Sequence, residues 1–83
     1  MENRVAVIAI VVEDLSKAEE VNKILHENGD YIIGRMGIPH RERGISLISV
    51  AMDGPSDAIS AVSGRIGAIA GVSAKAVYTK SEA

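Results

Sequence analysis

Cysteine, tryptophan and phenylalanine are absent from this chain of 83 residues, and only two tyrosines are present. A chain without cysteine forms no disulfide, offers no thiolate to a metal and has no cysteine nucleophile. Because aromatic side chains are so few, the core must be built from Val, Ile, Leu, Ala and Met, which suits a small sheet covered by helices. With 47% hydrophobic residues, the composition is that of a folded protein.

An excess of basic residues is also lacking. Nine Lys and Arg against eleven Asp and Glu give a formal net charge of −2, whereas an autonomous DNA-binding domain usually carries a clear basic excess. Direct nucleic-acid binding is therefore not expected. The apolar run at residues 5–12 is too short to span a membrane, and Glu13 and Asp14 follow it where a secretion signal needs small residues. We expect a cytoplasmic protein with a single domain over residues 1–83, built on one core.

Four segments have the length and the β-branched, apolar composition of strands. The first is an unbroken apolar run without the alternation of a strand wetted on one face, so we interpret it as a central strand covered on both sides. The predicted strands are residues 5–12, 31–38, 45–53 and 72–79. Residues 39–44 form a hairpin-like connection between the second and third strands.

Two helices are predicted between these strands. The first follows residues 13–16, has Ser16 and Glu19 at capping-box spacing, and ends at Gly29. The second begins at residues 54–57, where proline is well tolerated in a first helical turn, and ends at Gly71. Each helix carries an apolar stripe at helical spacing, which is typical of a helix packed on a sheet.

The element order predicts an α+β fold, the ferredoxin-like βαββαβ sandwich. Right-handed crossovers fold this order into a four-stranded antiparallel sheet with both helices on one face. The third strand has Ile45 and Leu47 on one face and Ile48, Val50 and Met52 on the other. Because two helices cover only one face, the apolar side left exposed predicts a protein interface. We expect a homo-oligomer, either a dimer or a tetramer, with Ile45 and Leu47 at the interface.

The second predicted helix contains two glycines, in the segment SGRIG at residues 63–67. Each glycine costs about 1 kcal/mol relative to alanine in a helix interior. At 100° per residue, Gly64 and Gly67 lie opposite the apolar stripe. Close approach of another subunit's backbone or of a ligand would offset the cost, so both glycines are candidate interface residues. The alternative is a helix that simply tolerates them.

A basic segment, GRMGIPHRERG at residues 34–44, contains three arginines and one histidine. Guanidinium groups bind carboxylates and phosphates through paired hydrogen bonds. Arg35, Arg41 and Arg43, together with His40, are therefore candidate ligands of a small anionic or amino-acid-like molecule. The simpler alternative is a solvated loop in which Glu42 pairs with a neighbouring arginine.

Catalysis and metal binding are poorly supported by the sequence. The chain offers only His26 and His40, with no obvious partners for general acid–base chemistry. His26 lies late in the first helix, where a histidine interacts well with the negative helix end. Two histidines without cysteine are too few for a structural zinc site within one chain. We predict no enzymatic activity, no cofactor and no metal ligands; a metal shared between subunits is left open.

Four segments together resemble the family of iron-only hydrogenase system regulators: VVED at residues 11–14, ILHE at 24–27, DYIIGRMGIPHRERG at 30–44 and SGRIGAIAGVSAKAV at 63–77. The resemblance runs over nearly the whole chain. It implies a small ferredoxin-like protein, similar to ACT domains and to the C-terminal effector domain of the nickel-responsive repressor. That repressor binds nickel through several histidines and a cysteine, and this chain lacks the set, so a nickel site is not carried over.

The resemblance implies a function as well as a fold. It implies a non-enzymatic regulatory or effector-binding module that works as a homo-oligomer. No ribbon-helix-helix segment precedes the first strand, so a role in transcription regulation would require a separate DNA-binding partner. The alternative is a protein-interaction adaptor with no small-molecule ligand.

Overall fold

The computed structural model describes residues 3–80, which form four strands and two α-helices. The strands are β1 (Asn3–Val12), β2 (Ile32–His40), β3 (Ile45–Pro55) and β4 (Val72–Tyr78), and the helices are α1 (Ala18–Glu27) and α2 (Ser56–Gly67). Short 3₁₀ turns occupy Leu15–Lys17, Gly29–Tyr31 and Arg41–Arg43. The chain order is therefore βαββαβ, as the apolar pattern predicts.

The four strands form one antiparallel sheet in the order β2-β3-β1-β4. β1 pairs with β3 along its whole length, from Asn3 opposite Pro55 to Val12 opposite Ser46. β4 pairs with the other side of β1, and β2 lies at the far edge beside β3. The predicted ferredoxin-like, α+β fold is confirmed.

The core lies between one face of the sheet and the two helices. Along β1 every second residue, from Ala6 to Val12, is buried. These side chains form one cluster with the apolar stripes of α1 and α2. The helix residues in the cluster are Val21, Ile24, Leu25, Ile59, Val62 and Ile66. The interpretation of β1 as covered on both sides is wrong for a single chain, because both helices pack on the same face and the alternate residues Val5 and Val7 stay exposed.

The start of α1 differs from the predicted capping box. The Asp14 carboxylate, through Oδ1, accepts hydrogen bonds from the Ser16 backbone N–H at 3.0 Å and from the Ser16 hydroxyl at 2.7 Å. A 3₁₀ turn over Leu15–Lys17 precedes α1, so Asp14 rather than Ser16 satisfies the first free donor. The hydroxyl bond, and next the backbone bond, hold the pKa of Asp14 below its usual value.

Gly71 joins the loop after β1 to the turn before β4. Its carbonyl oxygen accepts hydrogen bonds from the backbone N–H groups of Glu13 at 2.7 Å and Asp14 at 3.2 Å. Its φ is +81°, and a Cβ at this position would lie 2.6 Å from the Cβ of Asp14. Glycine is therefore required here both by the backbone conformation and by the close contact.

The hairpin between β2 and β3 is tighter than predicted. β2 continues through Pro39 to His40. Pro39 has no N–H to donate, and a strand tolerates this at the edge of a sheet, where one side has no neighbouring strand. The connection is a single 3₁₀ turn over Arg41–Arg43, followed by Gly44 at φ +66°. β3 also runs two residues beyond the predicted end, to Pro55.

Candidate functional site

The sheet face that the helices do not cover is called the open face. Paired residues lie on the same face of a sheet, so the register defines its members. Val7 is opposite Ala51 in β3 and Val77 in β4, and Leu47 is opposite Ile38 in β2. The open face is thus formed by odd-numbered residues of β1, β3 and β4 and by the even-numbered residues of β2 from Gly34 onward; Ile32, which precedes an irregularity in β2, is opposite the buried Met52.

Large apolar side chains on the open face form two clusters. The hairpin cluster, at the end of the sheet next to the β2–β3 turn, contains Met36, Ile38 and Leu47. The opposite cluster, at the other end and toward β4, contains Val5, Val7 and Val77. All of these side chains are exposed, from 39% for Val5 to 64% for Val77. Exposed apolar patches on small proteins are candidate interaction surfaces.

A shallow depression of about 230 Å³ lies on the open face beside the hairpin cluster. Its floor is low because the central residues Ala9 and Ser49, which are opposite each other in β1 and β3, are small. Met36, Ile38 and Leu47 stand around it, and Ser49 is the one polar side chain among the lining residues. The lining suits an apolar group and offers little for acid–base chemistry.

The predicted faces of β3 are confirmed. Ile48, Val50 and Met52 are buried under the helices, whereas Leu47 is 40% exposed on the open face and Ile45 is half-buried on it. That Ile45 and Leu47 contact another subunit stays a prediction.

The two candidate glycines of α2 occupy different surroundings. A Cβ on Gly64 would meet nothing within 4 Å, as expected for the outer surface of the helix. A Cβ on Gly67 would lie 3.9 Å from Ala74 in β4. Gly67 is exposed too, but it is the last residue of α2 and lies closer to β4 than Gly64 does. That either glycine contacts another subunit or a ligand stays a prediction.

The candidate anion ligands do not converge within one chain. Arg35 is opposite the buried residue Val50, on the helix side of β2, and its Nη2 donates to Asn22 Oδ1 at 2.8 Å. His40 is opposite Ile45, on the open face. Arg35 and His40 are an odd number of residues apart in one strand, so they point to opposite faces. A single rim formed by Arg35, His40 and Arg41 is therefore not present in the chain.

The basic residues of the hairpin turn are exposed. Arg41 and Arg43 lie in the 3₁₀ turn after His40. Across residues 3–80, no ion pair joins Glu42 to either arginine. His40, Arg41 and Arg43 thus stay together at one end of the sheet, and anion binding by them stays a prediction.

Residues 3–80 contain neither a cluster of metal-ligating side chains nor a helix that could span a membrane. Within this range no three His, Asp or Glu side chains converge where they could hold a metal ion. His26 is exposed in the last turn of α1. Over the same residues, neither helix has the length and apolar character needed to cross a membrane.

Sequence reasoning missed the opposite cluster and the depression. The signal for the opposite cluster was available in the apolar run of β1, where Val5 and Val7 alternate with buried residues. The depression had no such signal, because its floor joins Ala9 and Ser49, which are far apart in sequence and meet only through the register.

Comparison with known proteins identifies the family. Residues 4–76 match the family model described as "TM1266-like: Iron-only hydrogenase system regulator, putative". The solved structure of protein TM1266 from Thermotoga maritima is 40% identical, with a TM-score of 0.89, and the match covers 95% of this chain and 100% of that one. A comparison with curated proteins found no match.

A second solved structure shows the fold alone. It is a formyltetrahydrofolate deformylase from Pseudomonas putida KT2440, 15% identical with a TM-score of 0.63, and the match covers 88% of this chain and 28% of that one. The family match and the structure of TM1266 agree with the resemblance drawn from the sequence. The chain belongs to the TM1266-like family of iron-only hydrogenase system regulators.

Proposed function

We propose that this protein is a non-enzymatic regulatory module that acts as a homo-oligomer, in which two copies cover each other's open face. Membership of a family of hydrogenase system regulators supports the regulatory part of the proposal. The observation that carries the oligomeric part is the open face, with its two exposed apolar clusters. The absence of cysteine is compatible with action in the cytoplasm, where we place the protein.

The size of the open face supports a second copy as its partner. Four strands about 4.8 Å apart, each with roughly nine residues rising about 3.4 Å, give a flat footprint of roughly 600 Å². Two such faces together reach the lower end of the range of stable interfaces, about 1,200–2,000 Å². Burial of apolar surface would contribute about 25 cal/mol per Å² to the free energy of association. This contribution opposes the loss of translational and rotational freedom when two copies associate.

The proposed lack of catalysis is supported by the character of the depression. Its lining is apolar apart from Ser49, and His26 and His40 lie on different elements, α1 and β2. General acid–base chemistry needs a titratable group within hydrogen-bond reach of the reacting atom. The open face offers contact area for a partner instead.

An effector would bind near the hairpin turn in this proposal. His40, Arg41 and Arg43 lie at the end of the sheet where the open face stops, so an anion bound there contacts the edge of the proposed interface. Such an anion would stabilise an assembly that brings like charges of two copies together. A protein-interaction adaptor without any ligand remains the alternative function.

Light scattering tests the oligomer. Leu47→Asp places a charge on the open face, while Ser60→Asp places the same charge on the exposed surface of α2. We expect the native protein and the Ser60 variant to have the same oligomer mass, and the Leu47 variant to be a folded monomer by circular dichroism and light scattering. A Leu47 variant that keeps the native oligomer mass contradicts the proposal.

Thermal shift at moderate salt separates the effector from the adaptor. Sulfate, phosphate, a set of amino acids and nucleotides are added to the native protein and to a variant with alanine at both Arg41 and Arg43. Stabilisation of the native protein that the double variant loses supports an anionic effector. Equal melting temperatures with and without every compound favour the adaptor.

A further inference from the structure

Met36 carries the accessible sulfur atom of the described residues. The chain has no cysteine and no tryptophan, and residues 3–80 contain two methionines, Met36 and Met52. Met52 is fully buried under the helices, whereas the side chain of Met36 is 58% exposed on the open face. Oxidation of methionine to its sulfoxide depends on contact with the dissolved oxidant, so exposure selects Met36.

The position of Met36 links its oxidation to the open face. Met36 bounds the depression together with Ile38 and Leu47, and it is directly opposite Ser49 in β3. Ser49 is the one polar side chain in that lining. A polar group introduced at Met36 is therefore placed among apolar neighbours, in the hairpin cluster that the proposed interface buries.

Resting on the proposed homo-oligomer, we propose that Met36 is a reversible oxidation site that controls assembly. The reduced thioether contributes apolar surface to the interface and favours association of two copies. The sulfoxide is polar and favours the separated chain. The oxidant is a hydroperoxide, such as hydrogen peroxide, and a methionine sulfoxide reductase returns the sulfoxide to the thioether with thiols as the reductant.

The oxidation balances with the peroxide alone. A lone pair of Met36 Sδ attacks one peroxide oxygen, the S–O bond forms and the O–O bond breaks. The sulfur loses an electron pair, and the departing hydroxide takes the proton of the transferred oxygen and leaves as water. In the reductive step a pair of thiols is oxidised to a disulfide, and the sulfoxide oxygen leaves as water. The oxidation needs no catalytic residue from this chain.

The sulfoxide oxygen weakens the interface because it needs hydrogen-bond donors. In the separated chain, water supplies these donors at a side chain that is more than half exposed. A second copy over the open face removes this water, and Ser49 is the one lining side chain that can donate in its place. Both copies of a pair carry the sulfoxide, so we expect oxidation to raise the dissociation constant by at least about tenfold.

Assembly protects Met36 in turn. A second copy over the open face keeps the oxidant away from the Met36 sulfur, so the reaction proceeds through the separated chain. The oxidation rate of Met36 should then fall as the protein concentration rises. Met52 is buried by its own chain and should react slowly at every concentration.

Peptide mapping by mass spectrometry tests the oxidation site. Native protein and Leu47→Asp are treated with dilute hydrogen peroxide, and the oxygen uptake of each methionine is followed with time. In Leu47→Asp, where the chains are kept apart, we expect Met36 to be oxidised at least about tenfold faster than Met52. In the native protein, the rate at Met36 should approach that at Met52 as the protein concentration is raised. Equal rates for Met36 and Met52 in Leu47→Asp would overturn the oxidation site.

Light scattering of the treated proteins tests the consequence for assembly. The matched control is Met36→Leu, which keeps an apolar side chain of similar size and cannot form a sulfoxide. We expect peroxide to convert the native oligomer to monomer, and a methionine sulfoxide reductase with dithiothreitol to restore the oligomer. Peroxide should leave Met36→Leu assembled, and Met36→Gln, with a polar group of similar length, should assemble weakly without peroxide. Circular dichroism checks that each variant is folded.

The outcomes separate control by Met36 from the proposed function. A native oligomer that keeps its mass after complete oxidation of Met36, while Leu47→Asp is monomeric, would overturn the control of assembly and leave the open-face interface standing. Loss of the Met36→Leu oligomer in peroxide would place the effect at another residue and overturn the control as well. If Leu47→Asp keeps the native oligomer mass, the open-face interface itself is wrong, and control of assembly by Met36 fails with it.

Discussion

The two faces of the sheet differ in their surroundings far more than in their composition. On the helix side, Ile8, Val50 and Met52 are fully buried. On the open face, side chains of similar size, such as Val7 and Leu47, are 44% and 40% exposed. Both faces are apolar, yet one chain supplies cover for only one of them. The proposed second copy would supply the cover that the chain itself does not give to the open face.

The largest expected effect comes from introducing a charge on either face of β3. Val50→Asp puts a carboxylate into the core without a partner, which should unfold the protein because burying an unpaired charge costs several kcal/mol. Leu47→Asp, on the same strand, should leave the fold intact and affect only assembly. Circular dichroism and urea titration measure the contrast. Similar loss of folded structure in both variants would remove the distinction between the faces.

A smaller effect is expected from shortening valines of β1. Val12 is fully buried and Val7 is largely exposed on the open face. Val12→Ala should lower the free energy of unfolding by about 2 kcal/mol, and Val7→Ala by less than about 0.5 kcal/mol when the chain is monomeric. Urea denaturation in the Leu47→Asp background measures both. Equal losses would mean that the open face is packed within the chain.

The outer surface of α2 provides a third region for comparison. A methyl group on Gly64 meets open space, so Gly64→Ala should raise the free energy of unfolding by up to about 1 kcal/mol. Gly67→Ala, which meets Ala74 at an ordinary contact distance of 3.9 Å, should raise it by a similar amount or less. Thermal denaturation checks both variants. A loss of stability or of oligomer mass in Gly64→Ala would show that another chain packs on α2. That result would support the hypothesis, drawn from the sequence, that another subunit's backbone comes close to this glycine.

The smallest expected effect is on the pH dependence of stability, through Asp14 in the loop that follows β1. Hydrogen bonds from Ser16 lower the pKa of Asp14 in the folded state. A lowered pKa stabilises the fold above the unfolded value, near 3.8, and that contribution is lost as the pH falls through the folded pKa. Ser16→Ala should reduce stability slightly at neutral pH and converge with the native protein in strong acid. A difference in the free energy of unfolding between Ser16→Ala and the native protein that stays the same at every pH would contradict the role of Ser16 in lowering the pKa of Asp14.

The fold was predictable because local and global signals agree. Strand and helix periodicity, with glycine and proline at the element ends, leaves few topologies open. The cap of α1 was mispredicted because Ser16 and Asp14 both suit a cap, and only the 3₁₀ turn selects Asp14. The separation of Arg35 from His40 depended on how far β2 extends, and the sequence placed its end two residues too early. The depression depends on cross-strand neighbours, which no local pattern encodes.

Two of the three methionines, Met36 and Met52, lie on opposite faces of the sheet and allow the most direct test of the central claim. Met52 is fully buried under the helices, and Met36 is 58% exposed on the open face of a single chain. A soluble paramagnetic agent broadens the NMR signals of methionine methyl groups in proportion to their solvent exposure. At high protein concentration the account predicts that Met36 is as protected as Met52, and that Leu47→Asp exposes Met36 alone. A Met36 methyl signal that is broadened equally in the native protein and in Leu47→Asp would contradict the claim that a second copy covers the open face.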